Sequence, residues 1–189
     1  GPTSGSTILA GLSNVEVIKQ VGAGGTVTLD KAIDGVTTID LTDTGNQVLN
    51  LNDGFTGALT VKLTGDSGDN IVNTANIPLT VVANVADING DNVTSITGGV
   101  GTDTLTLTNA ADGAETILAD PDGAQDRITG IDAINIVDAT SGADLTITTN
   151  DYSNTNAGVP APLTIDASSL DSGEDLTLTG TASLTAMNV

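Results

Sequence analysis

Aliphatic residues alternate with threonine, asparagine or aspartate in short segments that recur along the whole chain. A period of two places successive side chains on opposite faces of a strand, so each segment predicts a half-buried β-strand. The segments are TVTLD (26–30), VTTIDLTD (36–43), QVLNLND (47–53), ALTVKLTGD (58–66), PLTVVANV (78–85), DTLTLTN (103–109), AINIVDAT (133–140), ADLTITTN (143–150), PLTIDASS (162–169) and DLTLTGTASLTAMNV (175–189). Glycine, asparagine, aspartate and serine, which form turns, fill the intervals. The pattern predicts an all-β protein.

The strand segments begin roughly every 10 to 20 residues, a spacing that suits either a β-solenoid or a β-sandwich. Short LTV, LTL and LTI cores repeat with similar neighbours, and aspartate and asparagine cluster at strand ends, where solenoid turns would stack. Sandwiches commonly centre on a buried tryptophan or tyrosine, but the aromatics here are only Phe55 and Tyr152. We therefore expect an irregular parallel β-solenoid, similar to a β-helix or β-roll, with an immunoglobulin-like β-sandwich as the alternative.

The 189 residues suffice for one domain or one elongated repeat array. GLSNVEVI (11–18) and TGIDAINI (129–136) share a glycine, an aliphatic residue, an acidic or amide pair and alternating aliphatic residues. This similarity predicts one elongated β domain over 1–189 with two related sub-blocks, 1–110 and 128–189. The last residues still follow a strand pattern, so we expect the chain to be a fragment of a longer protein.

The chain is strongly acidic: 24 acidic residues, 21 of them aspartate, stand against four basic ones, for a net charge of -20. Aspartate favours turns and is a ligand for hard cations. A chain this acidic repels nucleic acid and anionic membranes, and no segment approaches the roughly 20 apolar residues of a membrane span. The composition argues against nucleic acid binding and membrane insertion. It favours either bound cations or simple solubility in a salty medium.

One stretch, GGVGTDTLT (98–106), places three glycines and an aspartate directly before a strand. It is either a plain turn or a nonapeptide metal loop of the form G-G-x-G-x-D-x-U-x, where U is a bulky aliphatic residue. In a metal loop the glycines would adopt backbone geometry closed to other residues, and the aspartate would supply a carboxylate oxygen. One loop furnishes half a site, so the rest would come from GDSGDNIVN (65–73) or from INGDNVTSI (88–96) with the aspartate before it, which together offer Asp87, Asn89, Asp91 and Asn92. The predicted metal ligands are Gly98, Gly99, Gly101, Asp103, Asp66, Asp69, Asn70, Asp87, Asn89 and Asp91.

GGVGTDTLT, the segment ITGIDAINI (128–136) and a composition rich in aspartate, threonine and glycine resemble the RTX-type surface-layer proteins and large secreted adhesins of Gram-negative bacteria. The chain also lacks histidine and cysteine, as such proteins do. The resemblance implies calcium (Ca²⁺) as the cofactor, type I secretion, and a place at the cell surface or in the extracellular medium. Family members usually carry tandem nonapeptides, whereas this chain has one good copy and one degenerate copy. An irregular solenoid with calcium at scattered turns therefore fits better than a regular β-roll.

Catalysis has little support in the composition. Parallel β-helices include polysaccharide lyases and glycosidases. This chain, however, has only two aromatic residues that could stack on sugar rings. It has only one arginine and three lysines that could shift the pKa of a catalytic base. The absence of histidine and cysteine excludes Ser-His-Asp and Cys-His chemistry. No GxxxxGK[ST] loop is present to hold phosphate. We expect that the chain is not an enzyme.

These observations predict a structural module of a bacterial extracellular surface layer, matrix or fibre that calcium orders and assembles. Its partner would be further copies of itself, joined through strand edges, because open strand edges pair with other chains unless they are capped. The alternative is an adhesin, or a ligand-binding or spacer domain, of a secreted RTX protein. Cell-surface polysaccharide is then a further expected partner.

Overall fold

The structure of the chain is a computed structural model. It describes residues 13–21, 24–31, 33, 35–42, 45–63, 68–84, 88, 95–108, 128–137, 145–148, 155–156, 159–160, 162–170, 172, 174–179 and 184–188. Within these ranges no helix is long and apolar enough to cross a membrane.

The described residues form 17 β-strands. They are β1 (Val17–Lys19), β2 (Gly25–Leu29), β3 (Thr38–Leu41), β4 (Gln47–Leu51), β5 (Leu59–Leu63), β6 (Asn70–Asn73), β7 (Leu79–Asn84), β8 (Ser95–Thr97), β9 (Thr104–Thr108), β10 (Ile128–Thr129), β11 (Ala133–Val137), β12 (Leu145–Thr148), β13 (Thr155–Asn156), β14 (Val159–Pro160), β15 (Leu163–Asp166), β16 (Leu176–Thr179) and β17 (Leu184–Asn188). Every segment predicted from the alternating pattern contains a strand, and the last segment contains two. The predicted segments do not include six strands of two to four residues each, namely β1, β6, β8, β10, β13 and β14, because strands this short hold too few alternating positions to form a pattern.

From β1 to β11, odd-numbered and even-numbered strands fall into different sheets. Sheet A, with eight strands, has the order β1-β3-β5-β7-β9-β11-β15-β17, and sheet B, with five, has the order β2-β4-β6-β8-β10. Every strand pair in both sheets is parallel. β12 also pairs with β16 in parallel, whereas β13 and β14 are antiparallel. A chain that alternates between two parallel sheets winds as a coil. The predicted parallel β-solenoid is therefore confirmed, and the β-sandwich alternative, which needs antiparallel sheets, is wrong.

The coils of the solenoid differ in length. Thr26 pairs with Val48 and Val48 with Asn70, so these coils take 22 residues each. Thr80 pairs with Thr104, 24 residues later, and Thr104 pairs with Ala133, 29 residues later. The ladder keeps its register because the extra residues lie between strands, where length is tolerated. The solenoid is irregular, as the sequence predicts.

Sheet A continues across the boundary between the two predicted sub-blocks, since β9 pairs with β11 although residues 109–132 separate them in the sequence. Asn14 and Gly130 each precede a strand of sheet A by three residues, and both have a left-handed φ, of 60° and 71°. Asparagine enters this region more readily than most residues, so Asn14 can replace a glycine there.

Inward-facing side chains from the sheets form one narrow aliphatic core. The period-two alternation buries Leu49 and Leu51 of β4 and, in sheet A, Leu105 and Leu107 of β9. Phe55, in the turn after β4, is the single aromatic side chain in the core formed by the described residues. A core of this kind is filled by leucine, isoleucine and valine, which explains why the chain needs so few rings.

Opposite charges occupy successive coils on the outer face of sheet A. The ladder aligns Lys19 with Asp40 and Asp40 with Lys62, and Lys19 Nζ lies 3.7 Å from Asp40 Oδ2. Burial acts to raise the pKa of Asp40, but hydrogen bonds from Thr42 and the charges of the two lysines hold it below its ordinary value. The alternation of sign supports the observed alignment of these coils.

Leu105→Ala is expected to lower the free energy of unfolding by about 2–5 kcal/mol, because this fully buried side chain leaves a cavity when it is shortened. Thr104→Ala, on the outer face of the same strand, is the matched control and should cost less than about 1 kcal/mol. Urea denaturation followed by circular dichroism measures both. Equal losses would contradict the assignment of inner and outer faces.

Candidate functional site

The GGVGTD turn (98–103) joins β8 to β9 and lies within a stack of equivalent turns. The turn before it in the stack, 74–78, joins β6 to β7, and the turn after it, 130–132, joins β10 to β11. The ladder places Leu79, Asp103 and Asp132 in one column, where three successive strands of sheet A begin. A side chain in this column therefore reaches the equivalent residue of the coil before or after it.

The glycines of this turn provide space for close stacking. A Cβ atom on Gly98 would lie 2.7 Å from the carbonyl carbon of Gly130 in the next coil. Cβ atoms on Gly99 and Gly101 would collide with main-chain carbonyl groups of turn 74–78 in the previous coil. None of these three glycines has a left-handed φ. The prediction that they supply backbone angles closed to other residues is wrong, because the contact between stacked turns is what excludes a side chain.

Asp103 is fully buried, and both of its carboxylate oxygens accept hydrogen bonds from main-chain N–H groups. Oδ1 accepts from Leu79 of the previous coil at 3.0 Å, and Oδ2 accepts from Gly99 of the same turn at 2.8 Å. One coil earlier in the column, the N–H of Leu59 donates to the main-chain carbonyl of Pro78 at 3.0 Å. The carboxylate of Asp103 thus takes the place that a carbonyl holds in the neighbouring coil.

The same arrangement occurs at two other strand starts. Asp132 Oδ2 accepts a hydrogen bond from the N–H of Asp103 at 2.8 Å, and Asp69 Oδ1 accepts one from the N–H of Gln47 at 2.9 Å. Each aspartate directly precedes a strand and contacts the residue in register with it one coil earlier. We call Asp69, Asp103 and Asp132 the aspartate caps. They accept hydrogen bonds from main-chain N–H groups at strand starts, and such groups are costly when they are buried without an acceptor.

Burial raises the pKa of Asp103 from 3.8 to about 6. The hydrogen bonds from Leu79 and Gly99 oppose this rise, and the charge of Asp132 adds to it. Loss of hydration disfavours the charged form of a carboxyl, and a second carboxylate nearby does the same. Burial thus disfavours the charged carboxylate of Asp103, whereas the two hydrogen bonds that form the cap favour it.

Asn73, the last residue of β6, lies beside the GGVGTD turn. Its side chain is 1% exposed, and neither its amide nitrogen nor its amide oxygen has a hydrogen-bond partner among the described residues. The amide nitrogen lies 3.0 Å from the position that a Cβ atom on Gly99 would take, and the N–H of Gly99 donates to Asp103. Asn73 and Asp103 therefore border the same corner of the solenoid.

Two of the other predicted ligands lie away from this turn. Asp69 and Asn70 lie at the start of β6, at the opposite end of that strand from the turn that stacks on GGVGTD. Asn70 Oδ1 accepts a hydrogen bond from Ser95 Oγ at 2.9 Å. The segment that faces the GGVGTD turn is therefore 74–78, whereas the sequence suggested 65–73. The predicted ligands Asp66, Asp87, Asn89 and Asp91 lie outside the described residues.

Sequence reasoning missed Asp132 and Asn73 as parts of this site. A signal for Asp132 was present, because an aspartate stands directly before the strand in GTDTLTLT, in TGIDAINI and in SGDNIVN. Each of these aspartates is a cap in the structure. Asn73 carries no such signal, since its position in an alternating segment predicts only a strand residue.

Within the ranges that the structure describes, no three residues of the types His, Cys, Asp and Glu form a group that could hold a metal ion. Comparison with protein-family models, with curated proteins and with solved structures finds no match. The functional proposal therefore depends on the fold and on the chemistry of the turns.

The contribution of Asp103 to stability is expected to fall as the pH rises. Its pKa is higher in the folded chain, so the folded chain binds this proton more tightly than the unfolded chain does. The contribution is fully present below the ordinary value of 3.8 and is lost as the pH rises through about 6. Asp103→Asn should therefore destabilise the protein more at about pH 4.5 than at about pH 7.5. Chemical denaturation of both proteins at the two pH values measures this difference.

Asp53→Asn is the control for loss of one negative charge, because Asp53 lies exposed in the turn after β4. Its effect on the unfolding free energy should be small at both pH values. A loss of stability in Asp103→Asn that does not change with pH would contradict the raised pKa.

Proposed function

We propose that this chain is a structural module of a bacterial extracellular surface layer, matrix or fibre. The observation that carries the proposal is sheet A, in which eight parallel strands pair in sequence, with a register shift only between β15 and β17, while the coils between them vary in length. Each coil of such a stack contacts only its neighbours, so the molecule extends along one axis. An elongated, rigid stack suits a spacer or a building unit, and the proposal includes no catalytic role.

Self-association through strand edges is part of this proposal. β1 and β2 are the terminal strands of sheets A and B, and their outer edges have no strand partner among the described residues. Val17 and Val21, in the same coil, are 53% and 77% exposed. Unpaired N–H and carbonyl groups beside exposed apolar side chains favour the addition of another strand. Further copies of this chain are the proposed partner.

Calcium enters the proposal as the ion that orders the acidic turns at the cell surface. A net charge of -20 makes the folded chain repel itself, and bound divalent cations relieve that repulsion. A cation that binds the folded chain and not the unfolded chain adds to stability by mass action. The proposed ligands are Asp66, Asp87, Asn89 and Asp91, which lie in acidic segments outside the aspartate caps.

A second candidate function, an adhesin or polysaccharide-binding spacer, is favoured by the outer face of sheet A. The ladder aligns threonines there in one column, with a single interruption at Ala133. They are Thr38, Thr60, Thr80, Thr104 and Thr164. Regularly spaced hydroxyl groups can donate to and accept from sugar hydroxyl groups. Binding to insoluble polysaccharide that is lost on replacing Thr60, Thr80 and Thr104 by alanine would favour this candidate.

The structural proposal is tested by measuring folding and association in calcium, in magnesium and in EGTA at matched ionic strength. We expect a higher midpoint of thermal unfolding in calcium than in EGTA, and larger species in sedimentation velocity as the protein concentration rises. Matched sodium chloride is the control for charge screening, which acts on any acidic surface. Equal midpoints in all solutions would contradict the role of calcium. A monomer at every concentration in calcium would contradict assembly.

A further inference from the structure

The resemblance to RTX proteins implies calcium at the GGVGTD turn, but the residues of this turn do not fit a calcium site. We propose that Asp103 closes the turn without a metal ion, as a hydrogen-bonded replacement for a main-chain carbonyl of the ladder. This inference concerns one turn and does not depend on the proposed function, since calcium can bind other acidic turns in either case.

The first argument is the direction of the groups around Asp103. The N–H of Leu79 points at Oδ1 and the N–H of Gly99 points at Oδ2, so the positive ends of two main-chain dipoles already face the carboxylate. A calcium ion needs six to eight oxygen ligands at about 2.3–2.6 Å. An ion on these oxygens would place its charge beside the two N–H donors. The described geometry is that of a capped carboxylate.

The second argument is that the same cap forms where the glycine motif is absent. Asp132 caps the N–H of Asp103 from the short turn 130–132, and Asp69 caps the N–H of Gln47 in sheet B. Neither segment reads G-G-x-G-x-D. The cap is therefore a general device of this fold, which an aspartate directly before a strand provides. It does not require the nonapeptide sequence.

The third argument is that the glycines are explained without a ligand. Gly98 and Gly130 of successive coils stack backbone against backbone, and Gly99 and Gly101 meet the carbonyl groups of turn 74–78. Any side chain at these three positions of the turn would push the coils apart. Close approach of stacked turns thus requires the glycines whether or not an ion is present.

Asn73 makes the inference open to a direct test. Its buried side-chain amide lacks a partner among the described residues, and the amide nitrogen borders the same corner as Asp103, so a half-turn of the amide group would bring its oxygen there. It is the neighbouring side chain best placed to supply an oxygen if an ion did enter this corner. Asn73→Leu removes that oxygen and leaves Asp103 unchanged. Loss of bound calcium in this variant would indicate a metal site, whereas a metal-free cap predicts no loss.

The test measures calcium content and stability for wild type, Asp103→Asn, Asn73→Leu and the exposed control Asp53→Asn. Native mass spectrometry and calcium titration of the folded proteins give the number of ions and their affinity. Urea denaturation in calcium and in EGTA gives the unfolding equilibrium constant. We expect all four proteins to bind the same number of calcium ions with the same affinity. Asp103→Asn should raise the unfolding constant roughly tenfold, by the same factor in both solutions, because an amide cannot accept from both N–H groups.

Loss of one calcium ion in Asp103→Asn or in Asn73→Leu, with Asp53→Asn unchanged, would overturn the inference. So would equal stability of wild type and Asp103→Asn in EGTA alone. If the wild type itself unfolds in EGTA, stabilities in the two solutions cannot be compared. The number of calcium ions bound by each folded variant then tests the inference. If no protein binds calcium, the calcium part of the proposed function fails, whereas a metal-free cap at Asp103 is supported.

Discussion

Each coil of this solenoid must satisfy its main-chain N–H and carbonyl groups with the coils before and after it, and the rest of the structure follows from that constraint. Neighbouring strands of a ladder lie only about 4.8 Å apart. Turns that stack at this distance leave no room for a Cβ atom at Gly98, Gly99 or Gly101. The same short repeat gives a core of leucine, isoleucine and valine that contains one aromatic side chain among the described residues.

At the start of a strand, the main-chain N–H finds either a carbonyl or an aspartate carboxylate in the next coil. At Leu59 the next coil still provides the carbonyl of Pro78, but at Leu79 it provides the carboxylate of Asp103. Burying this carboxyl raises its pKa to about 6, which shows that the charge is disfavoured there. The arrangement is kept because an unsatisfied buried N–H costs about 1–3 kcal/mol, and because a carboxylate accepts two N–H groups at once.

Aspartate therefore has two separate uses in this chain. Buried before a strand, as at Asp69 and Asp103, it binds the backbone and holds successive coils together. On exposed turns, as at Asp53, it adds to the negative charge of the chain. The proposed structural role needs both, because coils that are held in register give a stiff module, and a charged surface makes its assembly depend on ions in the medium.

The sequence alone determined the fold class and most strands, because an alternation such as TLTLT predicts a strand from a few adjacent residues, independently of the rest of the chain. It also singled out Asp103, but it could not identify the groups that this carboxylate contacts. Leu79 and Asp132 lie 24 and 29 residues away, and only the register of the coils brings them into contact. For the same reason the role of the glycines depends on Gly130 and on turn 74–78. Tertiary structure decided these points because coil length varies, so the partner of a given turn cannot be read from a fixed repeat.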